Sequence, residues 1–418
     1  MEARVRERKA PANEAGMEDL VVTRAEGSLI FDANGRRYIN FTAGWCVGNL
    51  GWRRKDIIAA IRDFDGPTYV HPYYRYQPWA ELVDRLTQLA GGRLTQCFRA
   101  AGGSEAVDIA LQAAILHTGR SKFVAIEGSY HGNAIANRGV GDSHLRGRIP
   151  GLRPSSAKIK PPLDATRLER VEALLSREDV AGFIMEPIIC NLGVLIPDRT
   201  FMRGVQRLCR RYGTLLIIDE VATGFGRTGR MFGFELFGLK PDIVCLAKAV
   251  TAGYAPMGAT LTIRAVAAAM QELGVYSTYG WHPLSVAAAL ANLQIWAEQG
   301  DEILVDVATI GAFMRERLLQ MPFGPQTEVR VQGLAVGVDI GDAEYAERIQ
   351  TRCRENGLLI TTEDTTLTLF PALTIDDVTA VEGLRILAQC LQPTVRVNPV
   401  RCDGGRMPVG AAVPLICP

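Results

Sequence analysis

Short apolar runs alternate with longer amphipathic stretches through the middle of this chain. TQCFRA (95–100), KFVAIE (122–127), AGFIME (181–186), TLLIID (214–219) and DIVCLAK (242–248) are brief, rich in β-branched or aromatic residues, and followed by a breaker. Each predicts a buried strand. SEAVDIALQAAILHTG places Ala106, Ile109, Ala110, Ala113 and Leu116 on one face and stops at Gly119, so it predicts a helix. Strands and helices in alternation define an α/β fold with a mainly parallel sheet.

The two ends of the chain behave differently. GSLIFDANGRRYINF predicts a hairpin that turns at Asn34-Gly35. From about residue 300 the pattern gives a helix (EILVDVATIGAFMRERLLQM), strands in GLAVGVDI and TLTLFPALTI, and a last helix opened by a Thr374-x-x-Asp377 cap. The expected organisation is a large domain over 61–299 and a smaller α+β domain made from both chain ends, 1–60 and 300–418. The tail after about 394 has little periodicity.

Composition narrows the class of partner. The 418 residues carry 46 Lys plus Arg against 45 Asp plus Glu and are 48% hydrophobic, so a large core can form and no charge excess favours nucleic acid or an acidic membrane. No stretch is long and apolar enough to span a bilayer, and the charged N-terminus lacks a signal-peptide core. Nine cysteines without a C-x-x-C pair fit reduced thiols in the cytoplasm. The histidines show no metal-ligand spacing, so no metal site is expected. Glycine, at 42 residues, exceeds the usual share of about 7%.

In an open α/β sheet the ligand sits beyond the carboxyl ends of the strands, and the residues there form a coherent set. Ala101-Gly102-Gly103-Ser104-Glu105 opens a helix, where glycines and free N–H groups suit a phosphate. Gly128-Ser129-Tyr130-His131-Gly132 brings an aromatic face. Glu186 and Asp219 are carboxylates at the ends of apolar strands, and Lys248 is an amine at the end of another, where desolvation would ready it as a nucleophile. A Schiff-base lysine, a carboxylate for a pyridinium nitrogen, an aromatic face for a ring and a phosphate cradle are together what pyridoxal phosphate (PLP) requires.

IIDEVATGFGRTGR followed by PDIVCLAKAVTAGYAPMGA resembles the signature of class III aminotransferases, PLP enzymes of fold type I. The likeness runs in order through GSLIFDANGRRYINF, GGSEAVDIAL, EGSYHG, IMEPI and STYGWHPLSVAAAL to TLTLFPALTI. It implies that Lys248 forms the internal aldimine and shuttles the Cα proton in a ping-pong transamination, and that Asp219 pairs with the ring nitrogen. Val221 and Tyr130 would pack the two ring faces, Gly103 and Ser104 would bind the phosphate, and Glu186 would line the pocket. The family is built as homodimers, so Thr278 of the partner subunit is expected at the same phosphate. Trp45, in Ala-Gly-Trp-Cys-Val, resembles the substrate-pocket aromatic of the amine:pyruvate (omega-transaminase) branch.

Departures from the family pattern bear on the substrates. Asn133 stands where an Arg commonly follows Tyr-His-Gly, Thr368 where an α-carboxylate Arg precedes the proline of the late strand, and Thr361 where the amine:pyruvate branch has a mobile Arg. A carboxylate buried without a cation would be costly. The resemblance therefore implies a primary amine or omega-amino donor and a keto-acid acceptor such as pyruvate, with Arg75 and Arg138 as candidate acceptor contacts. A racemase or epimerase of the same family is the alternative. Gly224-Phe-Gly226-Arg-Thr-Gly229 also spells a nicotinamide-type G-x-G-x-x-G, but it follows its strand late and opens no clear helix. A structural loop is the better reading, with Arg227 structural and His131 supporting the site.

Overall fold

The computed structural model describes residues 20–141, 155–271 and 274–391. The chain first builds β1 (Val22–Glu26), β2 (Leu29–Asp32) and β3 (Arg37–Asn40) as an antiparallel ladder. The expected hairpin forms, but not through a two-residue Asn-Gly turn. The loop spans 33–36 and Gly35 takes the left-handed conformation (φ 78°). Asp32 sets the geometry, its Oδ1 accepting from the N–H groups of Asn34 and Arg36, each at 2.9 Å.

The apolar runs then pair into one seven-stranded sheet. Its strands are β4 (Gln96–Ala100), β5 (Lys122–Ile126), β6 (Ser156–Ile159), β7 (Val180–Met185), β8 (Leu215–Asp219), β9 (Ile243–Leu246) and β10 (Gly258–Thr262). The spatial order is β4-β10-β9-β8-β7-β5-β6. All neighbours are parallel except β10, which is antiparallel to both β9 and β4. Because β10 reverses twice, β4 points the same way as the parallel set, and residues leaving β4, β5, β7, β8 and β9 emerge at one sheet edge.

Alternation within each strand builds the two faces. Ile217, Ile243 and Cys245 join the cluster under the helix Gly103–Thr118, while Leu216, Ile218, Val244 and Leu246 join the larger cluster on the other face. That helix ends as expected, with Gly119 left-handed (φ 68°) and its N–H bonded to Ile115 O at 2.8 Å. It is buried around most of its circumference, although Leu116 is exposed. The unpredicted β10 hides two threonines; Thr260 Oγ1 donates to Ala106 O at 2.7 Å, which lets a hydroxyl sit in the core.

The second sheet comprises β11 (Glu328–Gln332), β12 (Ala335–Asp339), β14 (Thr361–Glu363) and β15 (Thr366–Leu369), in the antiparallel order β11-β12-β15-β14. Between them β13 (Leu358–Leu359) pairs in parallel with β3, so both chain ends share a sheet. Strand β15 stops before Pro371, which cannot donate to a ladder; Phe370 N–H turns instead to Phe41 O at 2.6 Å. The expected helix near 302 starts much earlier, running Pro283–Leu319 with proline in its first turn and Gly300 packed against Trp296, so it crosses the expected division at 299/300. The last helix, Asp377–Leu391, begins where the pattern put it, but its cap is Asp376, whose Oδ1 accepts from Thr379 N–H at 2.8 Å. Thr374 Oγ1 donates to Leu50 O instead. The tail after 394 lies outside the described residues, among which no helix is long and apolar enough to cross a membrane.

Candidate active site

A cavity of about 900 Å3 opens where the strands of the large sheet end. Trp45, Gly103, Ser104, Tyr130, Glu186, Asp219, Val221 and Lys248 all line it, so eight of the nine expected site residues come together. Thr278 does not reach the cavity of its own chain. It is exposed and borders a separate crevice with Trp79 and Arg99.

The helix Gly103–Thr118 starts at the cavity with Gly102 as its cap and no side chain closing its first N–H groups. Glu105 reaches back to accept from Ala101 N–H at 2.6 Å, fixing the turn without covering that end. Backbone packing is tight here. A methyl group on Gly103 would stand 3.1 Å from Val221 Cγ1, and one on Gly132 would stand 2.4 Å from Ser104 Oγ. Ser104 Oγ also accepts from Asn133 N–H at 3.1 Å. Asn137, buried and unmarked in the sequence pattern, donates from Nδ2 to Ser104 O at 3.0 Å and His131 O at 2.8 Å, tying both loops together.

Asp219 closes β8 and is almost fully buried. Its Oδ2 contacts His131 Nδ1 at 2.7 Å, and its Oδ1 accepts from Val221 N–H at 3.0 Å. Glu220, next in the chain, faces away: its oxygens accept from Thr223 Oγ1, Gly233 N–H and Phe234 N–H, which shapes the glycine-rich loop. Tyr130 is half exposed over the cavity, its loop held by Asn191, which accepts from Tyr130 N–H at 3.3 Å and donates to Gly128 O at 2.6 Å.

Lys248 follows β9 with a left-handed backbone (φ 47°), a conformation that a side-chain-bearing residue adopts at a cost. Asn292 braces the next turn by donating to Ala249 O and Val250 O, both at 3.0 Å. Among the described residues, Lys248 Nζ has no hydrogen bond or ion pair. Glu186 is buried, with Oε2 accepting from Cys190 N–H at 3.4 Å and Oε1 unpartnered. Burial first, and the neighbouring Asp219 charge second, push its carboxyl well above the usual carboxylate range.

Trp45 projects from a turn in which Ala43, Gly44, Trp45 and Cys46 are all left-handed, with φ from 41° to 62°. The positions that depart from the family pattern hold no cation. Asn133 lines the cavity with Arg138 behind it, bonded to Asn133 Oδ1 at 2.7 Å, and Thr361 and Thr368 close on one another through their hydroxyls at 2.8 Å. Neither Arg75 nor Arg138 lines the cavity. The G-x-G-x-x-G segment opens no helix at its end; a short 3-10 turn begins only at Gly233. Arg227 within it is fully buried, donating to Leu334 O, Pro371 O and Asn49 Oδ1 at 2.6 to 2.9 Å.

This sheet order and site define a transaminase-type enzyme, and comparison with known proteins agrees. The family model for class III aminotransferases matches residues 10–391. An acetylornithine aminotransferase of Methanosarcina mazei is 35% identical over 86% of this chain and 89% of its own. A 5-aminovalerate aminotransferase of Pseudomonas aeruginosa is 29% identical over 92% and 96%. The crystal structure of an amine transaminase from an uncultivated Pseudomonas species, in PLP-bound form, superposes with a TM-score of 0.83 and 29% identity over 93% of this chain and 97% of that one. The chain belongs to the class III aminotransferases.

Proposed function

We propose that the protein transfers an amino group from a primary amine or omega-amino donor to a keto acid such as pyruvate, with PLP held in the cavity. One observation carries the donor class: Lys248 is the single Lys or Arg among the described residues lining the cavity. A donor carboxylate next to the reacting carbon would therefore meet no counter-charge from this chain, and the acceptor's carboxylate, which meets the same lack, would draw one from the partner subunit. The relatives named above are aminotransferases, and the isomerase alternative draws no support from them.

The residues present fit the cofactor, since the uncapped helix end, the close glycine backbone and the buried Asp219 carboxylate match its phosphate, its flat ring and its ring nitrogen. When bound, PLP supplies a carbonyl carbon that takes up the amino group and a protonated ring that withdraws electrons from the substrate Cα. Gly103 and Ser104 present N–H groups to the phosphate, and Tyr130 and Val221 pack the ring faces. Asp219 holds the proton on the ring nitrogen, and His131 fixes that carboxylate. Lys248 would anchor the cofactor, and its Nζ would hold the proton taken from the substrate Cα. Glu186, its carboxyl raised well above the usual carboxylate range by burial, lines the site beside Asp219. Trp45 bounds the substrate side.

The working unit in this reading is a homodimer in which Thr278 of the partner subunit completes the phosphate cradle. Supporting it, Tyr69, Tyr73, Tyr276 and Tyr279 lie exposed around Thr278 and pack edge to face, and such a patch marks an association surface. The chain is assigned to the cytoplasm, where its seven described cysteines, all free, would stay reduced. The segment 61–299 is assigned to the cofactor and the two flanking segments to a smaller domain.

A donor screen with purified holoenzyme and pyruvate tests the reading. Amines without a carboxylate on the amine carbon should outperform α-amino acids such as glutamate; the opposite ranking overturns the donor class. Borohydride should fix the cofactor to wild-type protein and not to Lys248→Ala, which should lack turnover. Full activity in Lys248→Ala would remove that residue from its role.

A further inference from the structure

One carboxylate in the cavity has no task in the reading above. Glu363 ends β14, the edge strand of the four-stranded sheet, and its side chain lines the same cavity as Lys248. Among the described residues it has neither a hydrogen bond nor an ion pair. The neighbouring Thr361 and Thr368 are satisfied by each other and offer it nothing.

The other ionisable groups facing the cavity are accounted for. Asp219 is paired with His131, and burial raises the Glu186 carboxyl well above the usual carboxylate range. Glu363 and Lys248 line the same cavity from different elements and form no hydrogen bond or ion pair with each other. Burial pushes the Glu363 carboxyl up to about 7. A partly buried carboxylate with no protein partner is suited to receive a cationic one. A ligand that enters this cavity is the available source of one.

We propose that Glu363 binds the distal ammonium of a diamine whose other amino group is presented to Lys248, so that α,ω-diamines are the preferred donors. The inference rests on the amine-donor reading and sharpens it. A protonated diamine carries a second positive charge that a monoamine of the same length lacks, and Glu363 can tell the two apart. Glu363 is thus a specificity residue.

The test is steady-state kinetics of the holoenzyme with pyruvate, comparing short α,ω-diamines of increasing length with the n-alkylamines that lack the second amino group. At a pH above the Glu363 range, the best diamine should exceed its matched monoamine in kcat/KM by about tenfold or more, the scale of a charge-assisted hydrogen bond. Glu363→Gln should bring that ratio close to unity by raising KM for the diamine, and a native circular-dichroism spectrum with cofactor still bound reports an intact fold. Glu363→Asp should restore part of the preference. A wild-type ratio near one, or a ratio that Glu363→Gln leaves intact, overturns the inference while the amine-donor reading stands. Failure of all amines alongside good turnover of an α-amino acid such as glutamate would overturn the donor reading itself.

Discussion

His131 and Asp219 meet at 2.7 Å with both side chains buried, one leaving β5 and the other ending β8. The imidazole holds the carboxylate from the side while Val221 N–H holds its second oxygen, so Asp219 has one fixed orientation at the cavity. Asp219→Asn keeps the shape and removes the charge. Its kcat/KM is expected to fall by roughly 10²- to 10³-fold with a native circular-dichroism spectrum. His131→Ala leaves the charge and removes its support, and a loss of roughly 10- to 100-fold is expected, as for partners that orient a ligand from behind. Near-wild-type kinetics in Asp219→Asn would reject the electrostatic role.

Gly132 has a backbone φ of 114°, and any Cβ there would collide with Ser104 Oγ and Cα. Gly132→Ala should cost about 2 kcal/mol of stability. It should also weaken cofactor retention if Ser104, in the first turn of the helix at the cavity, holds the phosphate as proposed. Thermal unfolding and equilibrium dialysis against PLP measure both effects; an unchanged dissociation constant would uncouple this loop from the cradle.

Arg227 joins three segments distant in sequence, through Asn49, Leu334 and Pro371. Arg227→Leu strands these acceptors in the core and should cost about 3 kcal/mol or more by urea unfolding. Arg227→Lys should recover little of it, because an ammonium cannot span the three acceptors that the planar guanidinium reaches. A full rescue by lysine would mean that charge alone matters here.

Glu363 gives stability a pH dependence apart from any substrate. Its carboxyl titrates near 7 in the folded chain and near 4.5 when unfolded, so between these values the folded state holds the extra proton. The resulting stabilisation is complete below the unfolded value and is lost as pH rises through about 7. Urea unfolding of wild type and Glu363→Gln should therefore diverge from pH 5 to pH 8, the variant gaining relative stability at the higher pH. Parallel curves would contradict burial of this carboxyl.

The features that the sequence made legible are those with a local signature. Asp219 and Lys248 stand out because each ends an apolar run whose next residues break the strand, and the sheet direction then brings them together. The start at Pro283 was hidden because Gly300 interrupts the pattern, and only its packing against Trp296 shows that the helix continues. Asn137 and Asn292 carry no signal at all, since their value lies in reaching carbonyls from other loops. Glu363 sits in TTEDTT, a polar stretch that reads as surface until β14 is seen to border the cavity. Thr374 satisfies the same motif while bonding elsewhere, so the cap lies two residues further on, at Asp376.

The bare start of the helix Gly103–Thr118 has a consequence outside catalysis. N–H groups that a Ser or Asp cap would ordinarily satisfy are left for an anion, so the folded state is more complete with cofactor than without. By mass action, each tenfold of free cofactor above the dissociation constant then adds about 1.4 kcal/mol to the resistance of the fold to opening. Removing the cofactor should therefore leave the purified protein easier to cleave by protease as well as inactive.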